Sequence, residues 1–266
     1  MKELDLPASM TSSHSRKVAN YFSKAATQYE NVAHLQRKIG YELLSLLNTN
    51  TNLDRILDLG CSTGYFIAEI KRLLPKSSIL ALDVAMAMLQ QNSQRKSAHL
   101  VCANMEELPL ITHSVDLIFA NMSLQWSSQL GANFCEIKRI LKSKGYLLFS
   151  VPGPQTLIEL KQSWQAVDKH AHVNSFPDQS SLQHQLQEAG FKKIILKQKT
   201  YELEYPSVIA MMQYLKATGT DCVLAQRSSL TGKTKFKQML TQYEMFRKAN
   251  NLLPCTYEII FGEAYS

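Results

Sequence analysis

A loop of the form Asp-Leu-Gly-Cys-Ser-Thr-Gly, residues 58 to 64, constrains this chain more than any other feature, because it follows the apolar run Ile56-Leu57 without a break. A second acid, Asp83, closes the next apolar run, Ile79-Leu80-Ala81-Leu82. Gly60 and Gly64 let the backbone turn from strand into helix and press against a ligand with no Cβ in the way. Asp83 then presents two acceptor oxygens to the diol of a ribose. The spacing predicts a strand-loop-helix-strand unit that holds a nucleoside ligand outside the carboxyl ends of parallel strands.

Glycine-rich turns after a strand also serve dinucleotides, so the chemistry of the loop has to separate the ligands. A pyrophosphate binder aims a helix N-terminus at phosphate. A carboxylate at Asp58 repels phosphate and attracts an amino group, which argues against a dehydrogenase and for S-adenosylmethionine. The run Asp58-x-Gly60-x-Ser62-x-Gly64, followed about one helix later by Asp83, resembles the class I S-adenosylmethionine-dependent methyltransferases. It departs from their Asp-x-Gly-x-Gly-x-Gly pattern at Ser62, where the middle glycine is expected.

Strand and helix signals alternate from Arg55 to Val151, which implies a parallel sheet. Strands are expected over Arg55 to Gly60, Ser78 to Asp83, His99 to Asn104, Val115 to Ala120 and Gly145 to Val151. Tyr65 to Leu74, Ala85 to Arg95 and Gln129 to Leu141 carry apolar residues at helical spacing. Asp178 to Ala189 reads as a helix stopped by Gly190. Two late strands, Lys192 to Leu203 and Thr256 to Ala264, flank a stretch with helical pattern around Val208 to Thr218 and Lys233 to Lys248. The order matches the Rossmann-like, seven-stranded α/β sheet of class I methyltransferases, in which the seventh strand runs antiparallel. A single domain is expected over 1–266, its core being 51–205 and 255–266. An N-terminal helical segment, 1–50 (pattern from Val18 to Leu47), and a helical insert, 206–254, lie outside that core and are the natural candidates for a substrate lid.

The first residues include Glu3 and Asp5, and no apolar run approaches the roughly 18 residues that a membrane span needs. A cytoplasmic protein with no membrane partner is expected. The five cysteines, Cys61, Cys102, Cys135, Cys222 and Cys255, are scattered and read as buried thiols. His170 and His172 stand close together but lack further ligands at zinc spacing, so no metal is assigned. The net charge of +7 is concentrated between Phe191 and Asn250, where eleven lysines and arginines face four acids. Such a segment is either a solvated face or a field that steers an acidic partner. No aromatic-interleaved basic stretch points to nucleic acid.

A narrower resemblance rests on motifs spread along the chain. They are Phe22-Ser23-Lys24-Ala25-Ala26-Thr27-Gln28-Tyr29, Leu35-Gln36-Arg37, Leu124-Gln125-Trp126, Trp164-Gln165-Ala166-Val167-Asp168, Tyr214-Leu215-Lys216-Ala217-Thr218-Gly219 and Thr256-Tyr257-Glu258. In this order and spacing the chain resembles the malonyl-acyl carrier protein O-methyltransferases of biotin synthesis over nearly its full length. The resemblance implies methylation of the free carboxylate of a malonyl thioester. That step removes a charge and makes the unit look like a growing fatty acyl chain. It implies S-adenosylmethionine as cofactor, held by Gln36, Asp58, Gly60, Ser62, Gly64, Asp83, Met88, Asn104, Met105 and Asn121. Tyr29, Gln125 and Trp164 are the expected substrate residues, with Tyr29 the one catalytic candidate. Trp126 is read as a core anchor. The acidic carrier protein gives the basic segment 191–250 a purpose as a docking site. A methyltransferase of another small acid, and a nucleoside-binding protein without catalysis, remain as alternatives at this point.

Overall fold

The apolar runs on either side of the glycine loop become neighbouring central strands. β1 (Arg55–Leu59) and β2 (Ser78–Asp83) pair in parallel, with Ile56 opposite Ile79 and Asp58 opposite Ala81. The computed structural model describes residues 13–49, 53–91, 97–220 and 232–266. β3 (His99–Cys102), β4 (Val115–Asn121) and β5 (Leu141–Pro152) extend the parallel sheet. β6 (Lys193–Tyr205) and β7 (Leu253–Tyr265) complete it, with β7 antiparallel to both its neighbours and the order β3-β2-β1-β4-β5-β7-β6. This is the expected seven-stranded α/β sheet.

Side chains alternate across it and are buried on both faces, as parallel strands require. Ile56, Phe119 and Leu148 join one apolar cluster, and Leu57, Ile118, Leu147 and Phe149 join the other. Each such side chain contributes about 1.5–3 kcal/mol by leaving water. On β7, Gly262 sits opposite Phe149, whose ring occupies the place of a Cβ: an added carbon would stand 2.1 Å from Phe149 Cε1.

In chain order the helices are α1 (Ser13–Ala25), α2 (Tyr29–Val32), α3 (His34–Leu44), α4 (Tyr65–Leu73), α5 (Met86–Gln91), α6 (Leu130–Ile140), α7 (Ile158–Gln165), α8 (Gln179–Glu188), α9 (Val208–Ala217) and α10 (Lys233–Tyr243). Among the described residues, no helix is long and apolar enough to cross a membrane. α8 starts where its capping residue predicts, since Asp178 accepts from the Ser181 amide at 2.8 Å, a contact worth about 1 kcal/mol.

Four elements differ from expectation. The N-terminal helical stretch is broken into α1, α2 and α3 at Thr27-Gln28 and Ala33. α5 runs to Gln91, and residues 92–95 of the expected helix lie outside the described residues. β5 begins at Leu141, four residues early, because the polar Lys142-Ser143-Lys144 sits in a register shift between Val115 and Leu117 of its partner. α7 was not expected at all. Its buried face includes Glu159 and Ser163 beside Leu160 and Trp164, and those two polar residues mask the helical period. Glu159 is accommodated because its carboxylate accepts from the Thr256 amide at 3.1 Å.

The scattered thiols divide. Cys61 and Cys255 are buried and Cys102 is half-buried, but Cys135 is exposed on α6, contrary to the expectation; Cys222 lies outside the described residues. The basic segment does not form one patch either. Since β6 is antiparallel to β7, its start pairs Lys193 with Tyr265 and so stands beside Tyr146 at the start of β5. Lys192 and Lys193 are therefore at the opposite end of the sheet from the carboxyl ends of β1, β2 and β4, whereas Lys197, level with Phe261, Ser150 and Asn121, stands at the carboxyl end. Lys199, Lys235, Arg247 and Lys248 already face acids, and Asp221 and Arg227 lie outside the described residues.

Candidate active site

The loop between β1 and α4 alternates left-handed residues: φ is +75° at Gly60, +52° at Ser62 and +77° at Gly64. The three positions of the glycine pattern are thus the three that need positive φ, and Ser62 bears a cost of about 1–2 kcal/mol that glycine would not. The loop is fastened to the end of β2. The Gly60 and Cys61 amides both donate to the Leu82 carbonyl, at 2.8 and 2.9 Å. The Ser62 amide donates to Asp83 Oδ2 at 2.9 Å, and the Ala85 amide donates to Asp83 Oδ1 at 2.8 Å. Ser62 gains a use for its side chain, since its hydroxyl donates to Met88 Sδ at 3.4 Å.

Asp58 and Asp83 end up buried, 3% and 8% exposed, lining one cleft. Burial first, and then the charge of Asp83, push Asp58 up to about 8. Burial pushes Asp83 up to about 6, opposed by the amides of Ala85, Ser62 and Val84. Both folded-state values lie above the ordinary carboxylate value, so between the two the folded chain holds more protons than the unfolded one. Stability of the ligand-free chain is therefore expected to be fullest below about pH 4 on this account and to fall as pH rises through about 6 and then 8. Denaturant midpoints measured from pH 5 to 8.5 check the sign. Asp58→Asn should flatten the upper half of that decline, and a midpoint that rises with pH in the variant and the parent alike would contradict the assignment.

The empty space of the cleft, with the open solvent at its mouth included, is about 970 Å³. Leu82, Val84, Ala103 and Met105 give it an apolar wall, while Asp58, Ser62, Asp83 and Asn104 bring polar groups to one side. α1, α2 and α3 cover it. His14, Ser15, Val18 and Phe22 of α1 line it, and Phe22 meets Trp126 edge to face with centroids 5.2 Å apart. From α2, Tyr29 points into the cleft, half-buried, beside Ser62. Burial raises its pKa strongly, so it stays a neutral donor. Glu30 joins the cover to the loop: it accepts from the Thr63 hydroxyl and pairs with Arg37 at 3.0 Å. Among the described residues, no group of three or more His, Cys, Asp or Glu side chains is arranged to hold a metal ion.

The methyltransferase-domain family matches residues 57–149, which span β1 to β5 and hold the loop, Asp83 and Asn121. A malonyl-[acyl-carrier protein] O-methyltransferase from Legionella pneumophila is 35% identical over 255 residues, covering 94% of this chain and 90% of that protein. This chain belongs to the malonyl-[acyl-carrier protein] O-methyltransferase family. The family relation also reaches a longer protein: the biotin biosynthesis bifunctional protein BioHC of Saccharophagus degradans is 37% identical over 92% of this chain, which spans 45% of it. The fold is shared more widely. The Haemonchus contortus phosphoethanolamine N-methyltransferase 2, solved with phosphomonomethylethanolamine and S-adenosylhomocysteine, superposes with a TM-score of 0.62 at 13% identity, covering 96% of this chain and 60% of that one.

Of the residues expected from the family, Tyr29, Gln36, Asp58, Gly60, Ser62, Asp83, Asn104, Met105 and Asn121 line the cleft together. Gly64 and Met88 stand behind it, the first at the start of α4 and the second under Ser62. Asn104 Oδ1 is partly engaged, accepting from the Glu106 amide at 3.2 Å. Asn121 is a strut: it donates to the Gln36 carbonyl at 3.0 Å and accepts from Ser150 Oγ at 2.9 Å, tying α3 to β4 and β5. Gln125 and Trp164 are not among the lining residues. Gln125 turns back to donate to the Met122 carbonyl at 2.7 Å. Trp164 belongs to the buried face of α7 and stacks on His172, centroids 3.6 Å apart. Trp126 is buried against α1, as a core anchor is, and lines the cleft as well. His14, Glu30, Arg37, Thr63 and Met122 were missed. The signal for His14 was the spacing of residues 14, 18 and 22 on one helix face; Met122, at φ +51°, carries no sequence mark.

Proposed function

We propose that this chain transfers a methyl group from S-adenosylmethionine to the free carboxylate of malonyl-acyl carrier protein, forming the methyl ester that enters biotin synthesis. The observation that carries this reading is the likeness to the Legionella methyltransferase over 94% of the chain, including the N-terminal cover and the insert as well as the nucleoside loop. The proposed unit is one domain, with 1–50 and 206–254 building the substrate side on the core of 51–205 and 255–266. Free thiols at Cys61, Cys102, Cys135 and Cys255 support a reducing, cytoplasmic setting.

The donor set suits the cofactor. Asp83 is held by two amides so that its oxygens line the cleft and meet a ribose diol. Asp58 faces the same space and pairs with a cationic amino group, which would draw it into the ionised form despite its burial. Asn104 and the Met105 amide serve the adenine edge, and Gln36 the amino-acid carboxylate. When bound, S-adenosylmethionine supplies an electrophilic methyl on a positive sulfonium.

The protein's own task is positional. An aliphatic carboxylate is already ionised at pH 7, so no side chain has to remove a proton from it. Tyr29, kept neutral by burial, donates a hydrogen bond that orients the nucleophile. Phe22 and Trp126 exclude water from its neighbourhood, leaving the oxygen less solvated and more reactive. Docking of the acidic carrier is by charge; Lys216, Lys233 and Lys237 are exposed cations of the basic segment that lie in the insert. Mass spectrometry of malonyl-acyl carrier protein after incubation with the protein and S-adenosylmethionine is expected to show a gain of one methyl. An unchanged mass, with S-adenosylmethionine bound, would falsify the substrate.

A further inference from the structure

α1 presents two chemically different faces. Ser15, Val18 and Phe22 lie on one side and line the cleft. Arg16, Asn20 and Lys24 follow one another at four-residue spacing on the other side, all exposed, with Lys17 beside them. The thirteen residues of α1 contain no acid. A lysine at the end of a helix answers the helix dipole, but Arg16 and Lys17 stand in its first half, where positive charge opposes the dipole.

α9 ends beside α1. Gly219, just past its end, lies against α1, where an added Cβ would be 3.1 Å from Phe22 Cδ1 and 3.5 Å from Ala25 Cβ. The last turns of α1 and α9 are thus brought together, and each ends in an exposed lysine, Lys24 and Lys216. Lys192 and Lys193, at the start of β6, stand at the far end of the sheet, and Lys199, Lys235, Arg247 and Lys248 are paired with acids.

We propose that the outer face of α1, extended by Lys216, is where an acidic carrier protein docks. This rests on the malonyl-thioester reading above and deepens it. A carrier seated there lies across the helix whose inner face lines the cleft, so its thioester arm enters beside α1. Complementary charge speeds such an encounter and is weakened by salt.

The test compares two substrates and two charge-reversed pairs. Lys24→Glu with Lys216→Glu should raise KM for malonyl-acyl carrier protein roughly tenfold at low salt, with KM for malonyl-pantetheine and affinity for S-adenosylmethionine unchanged. Lys192→Glu with Lys193→Glu, at the other end of the sheet, should leave all three unchanged. Equal KM values for the carrier substrate in the Lys24/Lys216 pair and the parent overturn the docking face, as does an equal rise in the control pair. Should the milder Lys24→Gln with Lys216→Gln be needed for folding, it should give a smaller rise in the same direction. A parent protein that methylates neither thioester overturns the carboxylate reading and the docking face with it; one that methylates malonyl-pantetheine but gains nothing from the carrier overturns the docking face alone.

Discussion

Gly60→Ala is expected to remove measurable S-adenosylmethionine binding and to lower the melting temperature. Gly60 sits at φ +75°, which costs an L residue about 1–2 kcal/mol. The added Cβ would also stand 2.4 Å from Ser123 Cβ. Ser123 cannot yield easily, being 5% exposed and anchored by its hydroxyl to the Leu59 carbonyl at 2.7 Å. Either the glycine loop or the turn after β4 has to move, and both line the cleft. Strain and clash together should lower the melting temperature on the order of 5–10 °C for a chain of this size. Calorimetric titration and a thermal melt read the two effects. A variant with parental affinity would show that the close approach at Gly60 has nothing to do with the ligand.

Asp83→Ala should weaken S-adenosylmethionine binding by roughly 10–100-fold, the worth of one charge-assisted hydrogen-bonding group. Two losses combine in that figure: the acceptor for the ribose, and the clamp on the Ser62 and Ala85 amides that shapes the loop. Asp83→Asn separates them, because an amide oxygen still accepts from one backbone N–H. Its melting temperature is expected to lie closer to the parent's than its affinity does. If both substitutions leave affinity unchanged, Asp83 is a structural clamp only and the ribose is held elsewhere.

Much of the loop side of the cleft was legible because its chemistry is local. Asp58, Gly60, Ser62 and Asp83 lie within one strand-loop-helix-strand unit, where positive φ and strand ends dictate residue type. Even the departure at Ser62 pointed to the right position, since the structure places it at φ +52°. The substrate side was harder to read. Trp164 looks like a cleft residue in a motif, yet its neighbours Leu160 and Ser163 are buried with it, and the helix turns it onto His172. Gln125 satisfies the turn that carries it rather than a ligand. Trp126, one residue on, is aimed by contacts with Val18 and Phe22, about a hundred residues away in the chain. Such contacts leave no periodic trace. α7 was hidden for a related reason: Glu159 and Thr256 satisfy each other across the fold, so a polar residue occupies a position that a local pattern would assign to solvent.

The placement of β7 between β5 and β6 has a consequence for how the chain folds as it is made. β1 to β5 can pair with strands already synthesised, but β6 has β7 as its one neighbour, and β7 emerges only after the insert. β6 therefore waits through the whole of the insert with both its edges open. The cofactor half of the sheet can assemble early, whereas β6 and β7 are among the last parts to settle.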